Sequence, residues 1–292
     1  MRPQVSVIIP TYNQADQLKE ALCSVIGQTV TNWEAWVVNN SSRDGTVGVI
    51  QEMSDPRIRR VDISNRGIIA RSRNEGIRRA IGEYVAFMDS DDVWLPKKLE
   101  RVLDVFKRNP DIEVVCHWER IRKNGRLMGT YRYGPESKAE HRQLLFSGNQ
   151  LSTSAVTIKR NCLRRVRGFN VDASLVTAED YDLWLALSHL GCRMYFLPEA
   201  LGEYRITGHN MSANTDLHHA AVRKVVLRHY RQLHERSVKD FFLLCRRLAK
   251  IEYTRARDKI SRIVARTPTA GSLHDRWPSD LPLRQSSFFL GK

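Results

Sequence analysis

The stretch Gly82-Glu-Tyr-Val-Ala-Phe-Met-Asp-Ser-Asp-Asp92 joins an apolar strand to three carboxylates within four residues. Its run of apolar residues suits a strand that is buried on both faces, as in the parallel sheet of an α/β domain. Ligands of such sheets bind beyond the carboxyl ends of the strands, where these aspartates lie. Carboxylates so close together repel one another, and a divalent cation that bridges to a phosphate relieves the repulsion. The stretch therefore predicts a metal-assisted site for a phosphorylated ligand.

The segments around this stretch alternate short apolar strands with amphipathic helices, which is typical of a doubly wound, mostly parallel sheet with flanking helices. The predicted strand and helix pairs are 5–10 and 16–26, 35–40 and 46–53, 58–63 and 70–81, and 84–89 and 96–108. Further strands are predicted at 112–117, 154–159 and 193–197, a helix at 181–189, and a hairpin or mobile loop at 124–137. The fold class predicted from this pattern is α/β.

The composition limits the classes of protein to consider. A chain of 292 residues is long enough for one sizeable domain with an appendage. Its five cysteines are scattered without a CxxC pair, which argues against a disulfide framework or a zinc site and favours a reducing compartment. We find neither an apolar run of about 18 residues nor a signal peptide. These features predict a cytoplasmic protein, or one that is peripheral at the inner face of the cell membrane.

The formal charge of +15 is concentrated in the last part of the chain, where positions 215–292 hold 17 Lys and Arg against seven Asp and Glu. We predict a first domain at 1–214 and a basic helical extension with an irregular end at 215–292. Such basicity suits nucleic acid, an anionic membrane or a solvated helix face. Phe241 and Phe242 beside Arg246 favour contact with a membrane, although core packing of the same segment stays an alternative. Nucleic acid is disfavoured, because it leaves the acidic clusters unexplained.

Five segments in order resemble one known family. They are Val5-Ser-Val-Ile-Ile-Pro-Thr-Tyr-Asn13, Asn39-Asn-Ser-Ser-Arg-Asp-Gly-Thr46, Ala70-Arg-Ser-Arg-Asn-Glu-Gly-Ile77, the stretch 82–92, and Glu179-Asp-Tyr-Asp-Leu-Trp184. The chain thereby resembles the inverting family 2 glycosyltransferases of the GT-A fold over about positions 4–212. The resemblance implies transfer of a sugar from a nucleotide-sugar donor, UDP-linked in our prediction, to a hydroxyl of a surface-polysaccharide or lipid-linked acceptor.

The resemblance also implies roles for particular residues. The predicted site consists of Pro10, Thr11, Tyr12, Asn13, Asn39, Arg73, Asn74, Asp89 and Ser90 for the substrate, Asp89 and Asp91 for the metal, and Glu179 and Asp180 for catalysis. The metal is expected to be manganese or magnesium, which neutralises charge on the departing nucleoside diphosphate. Asp180 is the predicted base, since inversion requires a carboxylate that takes the proton of the attacking hydroxyl.

Position 39 departs from the family pattern. The family usually has Asp there, whose carboxylate accepts a hydrogen bond from the base of the donor. The Asn39 carboxamide oxygen still accepts such a bond but carries no charge, so the identity of the base stays open. Stacking by Tyr12 and hydrogen bonds from Thr11 are expected to hold that base. The segment Tyr204-Arg205, together with Gly208, His209 and Ser212, resembles the closing loop that the family places near the diphosphate.

Five other polar residues near these motifs have simpler expected roles. Arg71 diverges from Arg73 on the same helix and is expected to be a solvated charge. Asp92 is either a further metal candidate or the cap of the following helix. The adjacent His218 and His219 are expected to be solvated, and His117 to be packed in the core.

Other classes compete with this interpretation. The segment Asp89-Ser-Asp-Asp-Val93 also fits the DxDx[TV] pattern of haloacid-dehalogenase-like phosphohydrolases, in which the first Asp is a nucleophile. Those enzymes carry the motif after their first strand and a later Gly-Asp-x-x-x-Asp, which this chain lacks. A sugar-phosphate nucleotidyltransferase would have a glycine-rich loop after the first strand, but positions 11–17 contain no glycine. A diverged nucleotide-sugar or anion-binding protein without transferase activity stays as an alternative.

Overall fold

The fold is built on a mixed sheet with helices on both faces, in a computed structural model that describes residues 2–207 and 215–266 and the side chains as far as residue 261. The strands are β1 Val5–Thr11, β2 Trp33–Asn39, β3 Ile58–Asp62, β4 Tyr84–Phe87, β5 Val93–Trp94, β6 Val114–Lys123, β7 Arg126–Tyr131, β8 Val156–Lys159 and β9 Met194–Ile206. The helices are α1 Ala15–Ile26, α2 Thr46–Glu52, α3 Ile69–Arg79, α4 Lys98–Arg108, α5 His141–Ser147, α6 Arg160–Val166, α7 Glu179–His189, α8 Thr215–Arg231 and α9 Val238–Arg266.

The first four strands form the parallel half of the sheet, in the order β3-β2-β1-β4. β1 and β4 are buried along their whole length, as expected for largely apolar strands covered on both faces. The pairing register places Thr11 opposite Asn39, and Asn39 opposite Asp62. The polar residues that end these strands therefore lie side by side at one edge, next to the acidic loop that follows β4.

The second half of the sheet is mixed, because β8 pairs antiparallel with both β4 and β6 whereas β6 and β9 are parallel. β9 runs well past Leu197, where the sequence predicted its end. Pro198 cannot donate a ladder hydrogen bond, but it lies at a register shift where Leu197 pairs with His117 and Ala200 with Trp118. Two short helices, α5 and α6, were not predicted, since neither exceeds seven residues.

The segment predicted as a hairpin or a mobile loop forms a hairpin. β6 and β7 pair antiparallel around Asn124 and Gly125, which both adopt positive φ angles of 49° and 75°. Two positive φ values in a two-residue turn match the right-handed twist of paired strands. The mixed α/β architecture confirms the predicted fold class.

The helices of the basic extension pack on the same core as the sheet. Val225 and Val226 of α8 and Leu244 and Ile251 of α9 belong to the hydrophobic cluster that covers one face of the sheet. His219 is 8% exposed and bonded to the carbonyl of Thr215, so the prediction of a solvated side chain there was wrong. His117 is fully buried, as predicted. Among the described residues, no helix combines the length and the hydropathy that a membrane span requires.

Candidate active site

The acidic loop after β4 is held in place by a buried hydroxyl group. The Ser154 Oγ accepts a hydrogen bond from the Asp89 backbone nitrogen at 3.0 Å and donates one to Asp92 at 2.6 Å. The other Asp92 oxygen accepts from the backbone nitrogen of Arg205 at 3.1 Å. Asp92 thus connects the acidic loop to β9. It does not cap α4, because no side chain caps the start of that helix. Sequence reasoning missed Ser154, because its contact lies 65 residues from Asp89 along the chain.

Asp89 and Asp91 fit a divalent cation. The Asp89 side chain is 34% exposed, and Asp91 is partly buried. Burial, followed by the negative charge of Asp89, raises the pKa of Asp91 to about 6. A carboxylate whose pKa is raised in this way is stabilised in its ionised form by a hard cation with oxygen ligands. Both residues therefore suit the predicted metal, and their roles as ligands stay a prediction.

Arg73 joins the acidic loop to the second acidic motif. Its side chain, only 4% exposed, donates from Nη1 to Glu179 at 2.6 Å and from Nη2 to Asp89 at 2.8 Å. Arg71, two residues earlier, is exposed, as predicted from the helix geometry. The predicted contact of Arg73 with donor phosphates stays a prediction, while the geometry gives this arginine a positioning role between two carboxylates that are 90 residues apart in sequence.

Glu179 and Asp180 begin α7 with unequal surroundings. Glu179 is buried and held by Arg73, whereas Asp180 is partly exposed and accepts a hydrogen bond from the Asn149 side chain at 3.2 Å. Desolvation and the charge of Glu179 raise the pKa of Asp180 to about 7, against the opposing effect of Arg73. A carboxylate with that pKa accepts a proton near neutral pH. The geometry thus favours Asp180 over Glu179 as a base.

The end of β1 offers a polar atom and an aromatic face. The Thr11 hydroxyl is buried and has no hydrogen-bond partner among the described residues, and the Tyr12 ring is 55% exposed. Asn13 adopts a φ of 50° and accepts from the backbone nitrogen of Arg43 at 2.8 Å, which fixes the turn. Pro10, within β1, is buried. An unpaired hydroxyl beside an exposed ring suits the predicted nucleoside contact.

Asn39 is engaged on both sides of its carboxamide. Its Nδ2 donates to Asp62 at 2.7 Å, and its Oδ1 accepts from the backbone nitrogen of Ser42 at 3.1 Å. The Asp62 side chain is 49% exposed and also pairs with Arg60. Asp62 therefore places a carboxylate next to the position where the family usually has one. The only sequence signal for Asp62 was a polar residue at the end of a predicted strand.

Two further predicted substrate residues make internal contacts. The Asn74 side chain accepts from the nitrogen of Phe169 and donates to its carbonyl oxygen, both at 2.8 Å. Ser90 is buried and donates to Gln14, which follows the turn after β1. The geometry favours positioning roles for Asn74 and Ser90 over direct contact with the substrate. Of the predicted closing loop, Tyr204 and Arg205 belong to β9, while Gly208, His209 and Ser212 lie outside the described residues.

A sheet whose parallel strand ends carry a paired-aspartate loop, fixed by one arginine to a second acidic motif, defines a glycosyltransferase of the GT-A fold. The chain belongs to glycosyl transferase family 2, whose sequence profile matches residues 6–167. It is 31% identical over 215 residues to TuaG of Bacillus subtilis, a glycosyltransferase that is named for teichuronic acid biosynthesis, and the match covers 73% of this chain and 83% of TuaG. Membership of this family removes the phosphohydrolase and nucleotidyltransferase alternatives.

One further relative matches most of this chain, and two solved structures share its fold. The chain is 28% identical to the UDP-Glc:α-D-GlcNAc-diphosphoundecaprenol β-1,3-glucosyltransferase WfgD of Escherichia coli, over 72% of this chain and 80% of WfgD. S. aureus TarS in complex with UDP-GlcNAc aligns with a TM-score of 0.68 at 20% identity, over 86% of this chain and 73% of that one. A Pyrobaculum calidifontis mannosyltransferase in complex with GDP-Man and Mn²⁺ aligns with a TM-score of 0.62 at 22% identity, over 94% and 77%. These two structures support the fold.

Proposed function

We propose that the protein transfers one sugar from a UDP-linked donor to a hydroxyl of a surface-polysaccharide or lipid-linked acceptor, with a divalent metal ion and with inversion at the anomeric carbon. The observation that carries the proposal is the Arg73 bridge, which holds the acidic loop and the start of α7 side by side. The donor named for WfgD and the ligand of TarS support UDP, and the polysaccharide and lipid-linked products of TuaG and WfgD support the acceptor class.

In this proposal the two acidic motifs have separate tasks. Asp180 accepts the proton of the acceptor hydroxyl and is thus the catalytic base. Arg73 fixes Glu179, and α7 thereby orients Asp180 toward the donor. Asp89 and Asp91 would hold manganese or magnesium, which supplies charge neutralisation for the leaving diphosphate. Thr11 and Tyr12 hold the nucleobase of the donor. Asp62 and Asn39 provide the polar groups that select this nucleobase.

Donor binding is expected to depend on metal through Asp91. At about a hundred times its Kd, UDP with Mn²⁺ should stabilise a two-state domain by about 2.7 kcal/mol, measured as a shift in Tm. Asp91→Asn should lose the metal-dependent part of the shift, because it removes one charged ligand, whereas Asp180→Asn should keep it. The same Tm measurement with the diphosphates of guanosine, thymidine, cytidine and adenosine tests which nucleobase the site prefers. If none of the diphosphates shifts the Tm, the alternative of a diverged protein without transferase activity is favoured.

The outer face of α9 suits contact with an anionic membrane. Apolar side chains recur there every three or four residues and are all exposed, namely Val238, Phe242, Cys245, Ala249, Tyr253, Ala256 and Ile260. At 1.5 Å per residue this apolar stripe is about 33 Å long. A line of basic residues, Lys239, Arg246, Lys250 and Arg257, runs beside it, about 80° around the helix. We propose that the apolar stripe lies on the inner face of the cell membrane, where the basic line meets anionic headgroups.

Removing two side chains of the apolar stripe should weaken vesicle binding. We expect the wild type to sediment with phosphatidylglycerol vesicles more than with phosphatidylcholine vesicles, and less at high salt. The double variant Val238→Ser with Phe242→Ser should bind at least about tenfold less, because each buried apolar side chain contributes about 1.5–3 kcal/mol. Leu127→Ser, which changes an exposed apolar residue of the β6–β7 hairpin, is the control. Equal binding by both variants, or dimers that depend on Phe242, would contradict the proposed membrane contact.

A further inference from the structure

One arginine of α9 is buried against the rest of the domain instead of facing solvent. Arg247 is 8% exposed, and its Nε is buried without a hydrogen-bond partner among the described residues. Gly148 makes room for it, since a Cβ atom at Gly148 would lie only 2.8 Å from the Arg247 Nη2. None of the ion pairs in the described part of the chain involves Arg247. A buried guanidinium without a carboxylate is costly, and an anion that binds there would offset the cost.

The surroundings of Arg247 place it near the start of α7. Gly148, which it touches, precedes Asn149, and the Asn149 side chain donates to Asp180 at 3.2 Å. Tyr181, the residue after the base, lies near enough for the guanidinium to oppose the burial that raises the pKa of Tyr181 to about 12. Arg247 therefore lies against Gly148, one residue before the Asn149 that contacts Asp180, and near Tyr181, one residue after Asp180.

A structural role for Arg247 as the cap of α5 is already largely filled by other groups. The Tyr181 hydroxyl hydrogen-bonds to the carbonyl oxygens of Leu144 at 2.8 Å and Leu145 at 3.1 Å. The Leu144 carbonyl also accepts from the Gly148 nitrogen at 3.0 Å. Because these two carbonyls of the last turn of α5 have donors, capping does not explain why a cation is buried there.

His218 of α8 borders the same place. Its Nδ1 is 3.0 Å from the Thr177 carbonyl oxygen, so the prediction that this side chain is solvated was wrong. Burial lowers its pKa; the charge of Glu179 opposes that effect, and the charge of Arg247 adds to it. His218 is therefore a neutral neighbour, and Arg247 supplies the positive charge at this end of the site.

We propose that Arg247 binds a phosphate group of the acceptor, so that the acceptor is a sugar phosphate or diphosphate whose hydroxyl lies at Asp180. This inference rests on the proposed function. In the proposed function the donor diphosphate binds at the acidic loop. Asp89 and Asp91 are negatively charged like the diphosphate, so a metal ion would be required there. A phosphate group of the acceptor would bind the Arg247 guanidinium and not a metal ion. A guanidinium suits phosphate because its paired N–H groups can donate two parallel hydrogen bonds.

Calorimetric titration of the full chain with octyl diphosphate, in EDTA so that no metal takes part, tests this site. We expect Arg247→Gln to weaken binding by about 10- to 100-fold, the loss typical of a hydrogen bond to a charged group. Arg231→Gln, which removes an exposed arginine at the end of α8, should bind as the wild type does. Binding of UDP with Mn²⁺ should be the same in all three proteins. The readout requires no sugar transfer, so it succeeds or fails independently of the proposed activity.

Three outcomes would overturn the inference. The first is equal octyl diphosphate affinity in the wild type and Arg247→Gln. The second is displacement of octyl diphosphate by UDP alone, which would put the probe in the donor site. The third is weaker sedimentation of Arg247→Gln with phosphatidylglycerol vesicles, which would make the ligand a lipid headgroup. If Arg247→Gln does not fold, hydrogen exchange of the wild type decides: octyl diphosphate should slow the amides of 144–150, and slowing only at 89–92 would refute the site.

Discussion

Asp180→Asn is expected to lower kcat by about a hundred- to ten-thousandfold, the usual contribution of a positioned general base. The carboxamide keeps the shape of the side chain but cannot accept the proton of the attacking hydroxyl. Binding of UDP with Mn²⁺ should be unchanged, since Asp180 lies outside the acidic loop that follows β4. The measurement is steady-state sugar transfer together with a binding titration for the donor.

The matched control is Asp104→Asn, a partly exposed aspartate on α4 whose removal should leave kcat unchanged. Wild-type kcat/KM should rise with pH and level off above about 7, because burial and Glu179 raise the pKa of Asp180 to about 7 and only its ionised form accepts a proton. Full turnover by Asp180→Asn would refute its role, and a rate that falls as the pH rises from 6 to 7 would contradict the assigned protonation state.

Arg73→Met should lower the free energy of unfolding by about 3–5 kcal/mol, the loss typical when one partner of a buried ion pair is removed. The variant leaves Glu179 buried without its counter-charge and separates the acidic loop from the start of α7. Urea denaturation measures the change. Transfer activity should fall as well, because the two acidic motifs lose their common anchor.

Arg71→Met provides the control for this prediction, since it removes the same charge from an exposed position on the same helix and should change stability by no more than about 0.5 kcal/mol. If both variants were equally stable, the two ion pairs of Arg73 would contribute nothing to the fold. A stable Arg73→Met with full activity would also remove the observation that carries the proposed function.

The residues of the candidate site differ in how far the sequence could predict them. Asp89, Asp91 and the pair at the start of α7 were predictable, because each follows or begins a strongly patterned element within a few residues. Asp62 was not singled out, although it shares a hydrogen bond with Asn39. Arg247 gave no signal beyond being one of many basic residues in a basic helix, and its burial distinguishes it from exposed Arg246 beside it.

The sequence by itself determined the α/β class, the positions along the chain of the strands that end in polar residues, and the two acidic motifs, because apolar periodicity and strand ends are local properties. Only the tertiary structure decided which of these residues meet. The Arg73 bridge joins positions 106 residues apart, and Arg247 of α9 lies against Gly148 from much further along the chain. Such contacts depend on how helices and strands pack, and no local pattern of side chains specifies them.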